Sequence, residues 1–451
     1  MNFHSGGPVG VSGMQHVGGT MSEQQVIQPG GRLCGEVQVP GDKSISHRAI
    51  MLGALGEGET VVRGLLRGED NLATLEAFRS MGVEVAEDAD GTLRIAGRGL
   101  HGLQEPQDVI DCGNSGTTMR LMTGLLAGQQ FFSVMTGDRF LRKRPMKRVV
   151  APLTKMGARI LGRLGGEYAP LAIQGQTLKG VTHHSAIASA QVKSALLLAG
   201  LYAEGPTTIH EPHLSRDHSE RMLAWFGADV RPFPGGVTLM PGTPLQGREV
   251  VVPGDISSAA FFMVAALIVP GSELLIKQVG VNPTRSGIID ILRQMGGDIS
   301  LLNERDCSGE PVADILVRAS DLKGIDIGGS VVPRAIDEFP VVSVAAAFAQ
   351  GQTVIRDARE LRVKETDRIA SMCSELGALG AQVEARDDGM VITGGASLGA
   401  GTVHSLGDHR IGMSMAVAAL RASGPVTVVD TECTATSFPG FWNLFNGVRE
   451  C

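Results

Sequence analysis

Aromatic residues make up only 4% of the chain, so large rings cannot fill its interior. With 61 Gly among 451 residues, packing relies on Ala, Val, Leu and Met in closely approaching elements joined by tight turns. That composition suits layered α/β structure. There is no excess of positive charge: 40 Lys and Arg stand against 47 Asp and Glu, a formal charge of −7. This excludes a general nucleic-acid or anionic-membrane surface and makes any anion site local. The six Cys form no CxxC pair and no zinc-like spacing, so neither a disulfide framework nor a metal site is indicated. A reducing cytoplasm is the expected compartment. Apolar runs such as AAFFMVAALIVPG (259–271) fall short of the ~20 residues that a bilayer span needs. Residues 1–20 carry no Lys or Arg and no apolar run, which excludes a secretory signal. Residues 1–22 read as a flexible leader.

What the chain has is repetition. An apolar, Ala-rich helix, a Gly turn and a short Thr/Val-rich strand recur six times, from AIMLGALGEGETVV (49–62) to SMAVAALRASGPVTVV (414–429). The turn glycines are Gly58, Gly128, Gly205, Gly271, Gly351 and Gly424, spaced 70, 77, 66, 80 and 73 residues apart. Five copies continue into a second helix that stops at a Met-Gly-like pair before another strand, as in RSMGVEV (79–85). Helices apolar nearly all round belong inside, with sheets outside. The reading is α/β: a two-domain, inside-out α/β barrel of six repeats, three per domain. One domain is expected over 42–254, the other over 23–41 plus 255–451, with chain crossings near residues 42 and 254. The strand-like piece GRLCGEVQVPG (31–41) is expected to complete the second domain, whose sixth copy lacks its second half.

The chemistry lies in what precedes each first helix: PGDKSISHR (40–48), CGNSGTTMR (112–120), SAIASAQVKSA (185–195), PGDISSAA (253–260), AIDEFP (335–340) and LGDHRIGM (406–413). Helix N-termini present free N–H groups and a positive dipole end, which suit phosphate and carboxylate oxygens. Plain capping explains any one Ser, Asp, Asn or Thr. It does not explain Lys43, Arg48, Arg120, Lys193 and Arg410 in apolar surroundings, where a lone charge is costly and an anionic ligand is the expected partner. Two further charged stretches, FLRKRPMKR (140–148) and RVKETDR (362–368), add cations. Helical spacing would put Lys364 and Arg368 on one face and leave Glu365 free for proton transfer.

The strings PGDKSISHR, GNSGTTMR, KRPM, SAQVKSA, SRDHSERM, VKETDR, GDHR and ATSFP, in this order from residue 40 to 439, resemble the 5-enolpyruvylshikimate-3-phosphate synthase family. The resemblance implies two domains of three βαβαββ units that close on substrate. It implies transfer of the enolpyruvyl group of phosphoenolpyruvate to the 5-hydroxyl of shikimate 3-phosphate, with neither cofactor nor metal. By the same resemblance, Asp337, Glu365 and Lys43 are the catalytic residues. Shikimate 3-phosphate falls to Lys43, Ser44, Arg48, Ser189, Ala190, Gln191, Ser215, Arg216, Asp337 and Lys364. Phosphoenolpyruvate falls to Lys43, Asn114, Gly116, Arg144, Gln191, Arg368 and Arg410. Glyphosate is the expected competitive inhibitor and the chain an expected monomer.

The chain departs from one subgroup of that family at Ala190, Leu121 and Thr436, the last standing where that subgroup carries a Lys. Arg216 is the candidate to take over part of the anion binding. The related UDP-N-acetylglucosamine enolpyruvyltransferases usually have Lys-Asn in the first loop and a Cys in the loop equivalent to 137–145. Here Ser44 follows Lys43 and that loop has no Cys. A non-catalytic repeat scaffold predicts polar helix starts without acid–base pairs, and Asp337 with Lys364 and Glu365 argues against it.

Overall fold

Six apolar segments form helices that water hardly reaches: Lys43–Leu55, Gly116–Ala127, Ala190–Gly200, Ile256–Ile268, Phe339–Phe348 and His409–Ala419. In this computed structural model, which describes residues 23–449, every residue of Ile256–Ile268 is buried. Small residues let the helices touch. A Cβ on Gly124 would stand 2.0 Å from the Ala195 carbonyl oxygen, so two of these helices meet backbone to backbone. Side-chain oxygens of Asp42, Ser115, Ser189, Asp255 and Asp408 accept from the first-turn N–H groups of five of them. The glycines after the second helices, Gly82, Gly157, Gly227, Gly296 and Gly380, all lie at φ between 84° and 97°, the left-handed C-cap that the Met-Gly stops predict.

Among the described residues, six of the seven sheets follow these helices in a repeating order, the seventh being the two-stranded pair Leu178–Lys179 and Ala203–Glu204. In each of the six, the strand that follows the buried helix pairs in parallel with one strand, as Phe132–Thr136 does with Ile110–Asp111. In five, its other neighbour is the second strand of an antiparallel hairpin, as Tyr168–Gln174 is with Arg159–Gly162. The first sheet takes its parallel strand from far along the chain, Glu249–Val251 against Val61–Arg63, which closes the first three repeats into a ring.

The N-terminal strands sharpen the sequence reading. Cys34–Val37, within the 31–41 piece, joins the sheet of the fourth repeat beside Glu273–Ile276. The incomplete sixth repeat takes its antiparallel strand from Gln24–Ile27, paired with Val426–Val429.

Buried apolar side chains separate into two cores. One runs from Ile45 to Val252. The other joins Ile27–Val39 to Ile256–Val448. Two strand-like passages lie side by side where the chain moves between them: Asp42 N donates to Pro253 O at 2.7 Å and Asp255 N to Pro40 O at 2.9 Å. Cys34 is disulfide-bonded, while Cys112, Cys307, Cys373 and Cys433 are free. Among the described residues no helix is long and apolar enough to cross a membrane, and no group of three or more His, Cys, Asp or Glu is placed to hold a metal. The leader assigned to residues 1–22 lies outside the described residues.

Candidate active site

The turn before Phe339–Phe348 sets Asp337 among cations from both halves of the chain. Its carboxylate accepts from Arg216, from Lys364 Nζ at 3.1 Å and from Arg368 Nη1 at 3.5 Å. Its backbone oxygen accepts from Arg410 Nη1 at 3.0 Å. Burial pushes the Asp337 carboxyl up, yet Lys364, Arg216, Arg410 and Arg285 outweigh it and hold the group well below the usual range. At neutral pH it is ionised.

Glu365 corrects the sequence reading. The segment Arg359–Val363 is 3-10 helix and the following α-helix begins only at Arg368, so Lys364 and Arg368 do not share a helical face. Both still reach Asp337. Glu365 is not free either: Oε1 accepts from Arg144 Nη2 and Oε2 from Arg368 Nη2, each at 2.6 Å. Burial raises its carboxyl, but Arg368 and Arg144 outweigh that and hold it well below the ordinary value. Glu365 thus bridges an arginine of residues 42–254 to one of residues 255–449. Arg148 and Glu360 make another such pair at 2.9 Å, as Arg216 and Asp337 do.

The opposite wall is built from three helix starts. Lys43 Nζ stands 2.5 Å from Asp70. Gln191 Oε1 accepts from Arg120 Nη1 at 2.5 Å and its amide donates to Thr117 at 3.1 Å. Gly116 lies so close to the guanidiniums that an added Cβ would come within 3.1 Å of both Arg120 Nη1 and Arg144 Nη1. Asn114 donates to Asp138 at 2.8 Å while its carbonyl faces Arg144 at 3.5 Å. Arg48 is buried and donates to Ser44 O, Ser194 and Ser219. Ser189 caps the helix that Ala190 and Gln191 open. Ser215 donates to Glu211.

Lys193 does not await a ligand. It is 1% exposed and paired with Glu211 at 2.8 Å and Glu220 at 2.7 Å, an internal cluster. Hydrogen bonds therefore join Asn114, Arg144, Glu365, Arg368, Asp337, Lys364, Arg216 and Arg410 in one candidate network, with Gly116 beside Arg144 and Gln191 bonded to the neighbouring Arg120 and Thr117. Lys43, Ser44, Arg48, Ser189, Ala190 and Ser215 sit on neighbouring helix starts without a direct bond to it.

Sequence reasoning missed the carboxylates that hold the cations. Asp408 accepts from Arg368 Nε at 2.8 Å, Asp70 holds Lys43, and Glu338 holds Arg285 at 2.7 Å. Their signal was weak: each sits one or a few residues from a helix start and reads as a cap. His409 was missed as well. Burial drives its pKa down to about 3 against the pull of Asp408, with Arg410 and Lys43 adding to the fall, so its ring is neutral.

Residues 27–445 match the family model described as EPSP synthase (3-phosphoshikimate 1-carboxyvinyltransferase). A protein of Syntrophotalea carbinolica named 3-phosphoshikimate 1-carboxyvinyltransferase is 88% identical over 95% of the chain and 100% of its own length. One of that name from Geobacter metallireducens is 66% identical over 94% of the chain and 99% of its own. Among solved structures, EPSP synthase of Acinetobacter baumannii superposes with a TM-score of 0.86 at 49% identity, covering 94% of this chain and 98% of that one. The enolpyruvyl transferase NikO of Streptomyces tendae, at 18% identity, shares the fold with a TM-score of 0.76, over 95% of this chain and 98% of its own.

Proposed function

Because the chain belongs to the EPSP synthase family, it transfers the enolpyruvyl group of phosphoenolpyruvate to the 5-hydroxyl of shikimate 3-phosphate, and we propose that the charged seam around Asp337 is where it does so. The chemistry needs a hydroxyl deprotonated, the enol methylene protonated and phosphate expelled, all beside anions that must be held together. The observation that carries the assignment is Asp337, a half-buried carboxylate bonded to cations from separate segments and kept ionised by them.

In this reading Asp337 takes the proton of the 5-hydroxyl as the oxygen attacks. Lys43, Asn114, Gly116, Arg144, Gln191, Arg368 and Arg410 surround phosphoenolpyruvate. Lys43, Ser44, Arg48, Ser189, Ala190, Gln191, Ser215, Arg216, Asp337 and Lys364 surround shikimate 3-phosphate. Arginine suits the task because its planar fork meets phosphate and carboxylate in pairs of bonds. Phosphoenolpyruvate competes with Glu365 for Arg144 and Arg368. Drawing those arginines off removes the two largest influences that hold the Glu365 carboxyl down. Its pKa then rises, and it becomes able to carry the proton that the enol methylene takes and later returns.

We also propose that 42–254 and 23–41 with 255–451 close as two bodies over the substrates. Contacts between Arg144 and Glu365 and between Arg216 and Asp337 support this. X-ray scattering with shikimate 3-phosphate should show compaction, and an unchanged radius overturns closure. Glyphosate, as a competitor of phosphoenolpyruvate, a monomeric state and a cytoplasmic location belong to the same proposal.

Phosphate release on mixing the enzyme with both substrates tests the site. Asp337→Asn should bind shikimate 3-phosphate yet lose release. Undiminished turnover in that variant would remove Asp337 from the reaction.

A further inference from the structure

Arg285 is 3% exposed and lies behind the proposed site rather than in it. It ends the loop Asn282–Arg285, ahead of the helix Gly287–Gln294. Its Nη1 donates to Glu338 Oε1 at 2.7 Å and its Nη2 to Ser257, whose hydroxyl also donates to Glu338. Asp255 stands 3.6 Å from the same guanidinium. These partners belong to helix starts. Asp255 caps Ile256–Ile268 and accepts from the backbone N–H of Lys43 at 3.3 Å. Glu338 follows Asp337 in the chain, opens Phe339–Phe348 and lies 3.7 Å from Arg410, which itself donates to the Asp337 carbonyl. A single buried cation thus ties together the starts of two helices, and through Asp255 and Glu338 it reaches the helix starts that carry Lys43 and Arg410.

We propose that Arg285 is a positioning residue of the reaction: without touching substrate, it fixes Glu338 and Asp255 so that Asp337 and Lys43 meet the substrates in the correct geometry. The inference rests on the site assigned above. The bidentate fork is what the role requires, because one end must serve Glu338 while the other serves Ser257 and Asp255. Burial works against the charge of Arg285, but Glu338, Asp255, Asp337 and Asp42 raise its pKa, so it remains a cation. The neighbouring residues of its loop brace the other wall. Asn282 donates to Asp217 Oδ1 at 2.7 Å and Thr284 donates to the same oxygen at 3.0 Å, next to Arg216.

The test compares Arg285→Lys, which keeps the charge and loses the fork, with Arg285→Met. The double variant Arg285→Met/Glu338→Gln removes the Glu338 charge together with its partner and keeps the test open if the single Met variant does not fold. Calorimetric titration with shikimate 3-phosphate counts intact sites, and steady-state rates give kcat and KM. The expected result for Arg285→Lys is full binding stoichiometry, KM for both substrates within about threefold of the parent, and kcat lowered by at least ~10-fold. Arg285→Met should in addition move the acid limb of kcat to higher pH. The carboxyl of Asp337 is faced by Arg216, Lys364, Arg368, Arg410 and Glu338 as well, and loss of one cation from that set raises it. An unchanged kcat in Arg285→Lys, or a fall that merely tracks lost binding stoichiometry, overturns the inference. Asp337→Asn is the control. If it turns over like the parent, the site assignment fails; if it is inactive while Arg285→Lys matches the parent, only the role of Arg285 fails.

Discussion

Arg120 and Arg368 are both buried and stand on opposite walls of the cleft, yet their surroundings differ. Arg120 bonds only to the Gln191 amide oxygen and the Pro145 carbonyl, and burial together with Arg148 and Arg144 pushes its pKa down to about 9. Arg48, on the same wall, is pushed down to about 10, mainly by burial. Among the described residues neither stands in an ion pair. Burial works against Arg368 too, but Asp408 and Glu365 overrule it and its pKa is raised. Arg48 and Arg120 are thus held by neutral partners, which leaves a positive field for anions. Arg368 is held by carboxylates, which fixes those carboxylates in place and in the ionised state. Lys43, Arg144 and Arg216, also of 42–254, side with Arg368 in this, since each pairs with a carboxylate.

The largest expected effects lie where the two walls meet the chemistry. Lys43→Met should abolish phosphate release, and Asp337→Asn should lower kcat by ~10²–10⁴-fold with shikimate 3-phosphate binding retained. A residual rate near the parent's in either breaks the division. Next, Glu365→Gln should lower kcat by ~10²-fold while lowering KM for phosphoenolpyruvate, because Arg144 and Arg368 lose a competing carboxylate. A raised KM would show that Glu365 orients those arginines instead of competing for them.

A smaller effect is expected of Gly116→Ala. Its Cβ would crowd Arg120 and Arg144 at 3.1 Å, so KM for phosphoenolpyruvate should rise ~10-fold, with KM for shikimate 3-phosphate unchanged. Equal rises in both KM values would show that the crowding is not local to the anion wall.

The smallest effect concerns pH. His409 has a folded pKa of about 3, below its ordinary 6.5, so the unfolded chain binds its proton first. Stability from this group is complete above about pH 6.5 and is lost as pH falls toward 3. Asp337 and Glu365, also depressed, act in the same direction at lower pH, below their unfolded values of 3.8 and 4.5. Denaturant midpoints from pH 7 to 4 should therefore fall less steeply in His409→Gln. An identical slope would show that His409 is not held neutral.

The sixfold repeat was legible because its signals are local: apolar runs, caps, and glycines that tolerate φ near 90°. Strand partners were not. Nothing near Cys34 or Gln24 tells which sheet receives it, since the answer lies hundreds of residues away. The motif cations were visible and their partners were not. Lys193 read as an unpaired charge because Glu211 and Glu220 reach it only through the fold, and Glu365 read as free because its arginines come from two separate segments. Sequence shows which charges exist; packing decides which of them are already neutralised.

The ring closure of the first three repeats bears on how the chain is made. Strand Glu249–Val251 completes the sheet begun at Glu57–Arg63, so residues 42–254 have every strand of their own sheets once that segment has left the ribosome. Strands Gln24–Ile27 and Cys34–Val37 are synthesised earlier but pair with Val426–Val429 and Glu273–Ile276. They emerge first and wait as unpaired edges, Cys34–Val37 until the fourth repeat is made and Gln24–Ile27 until the sixth.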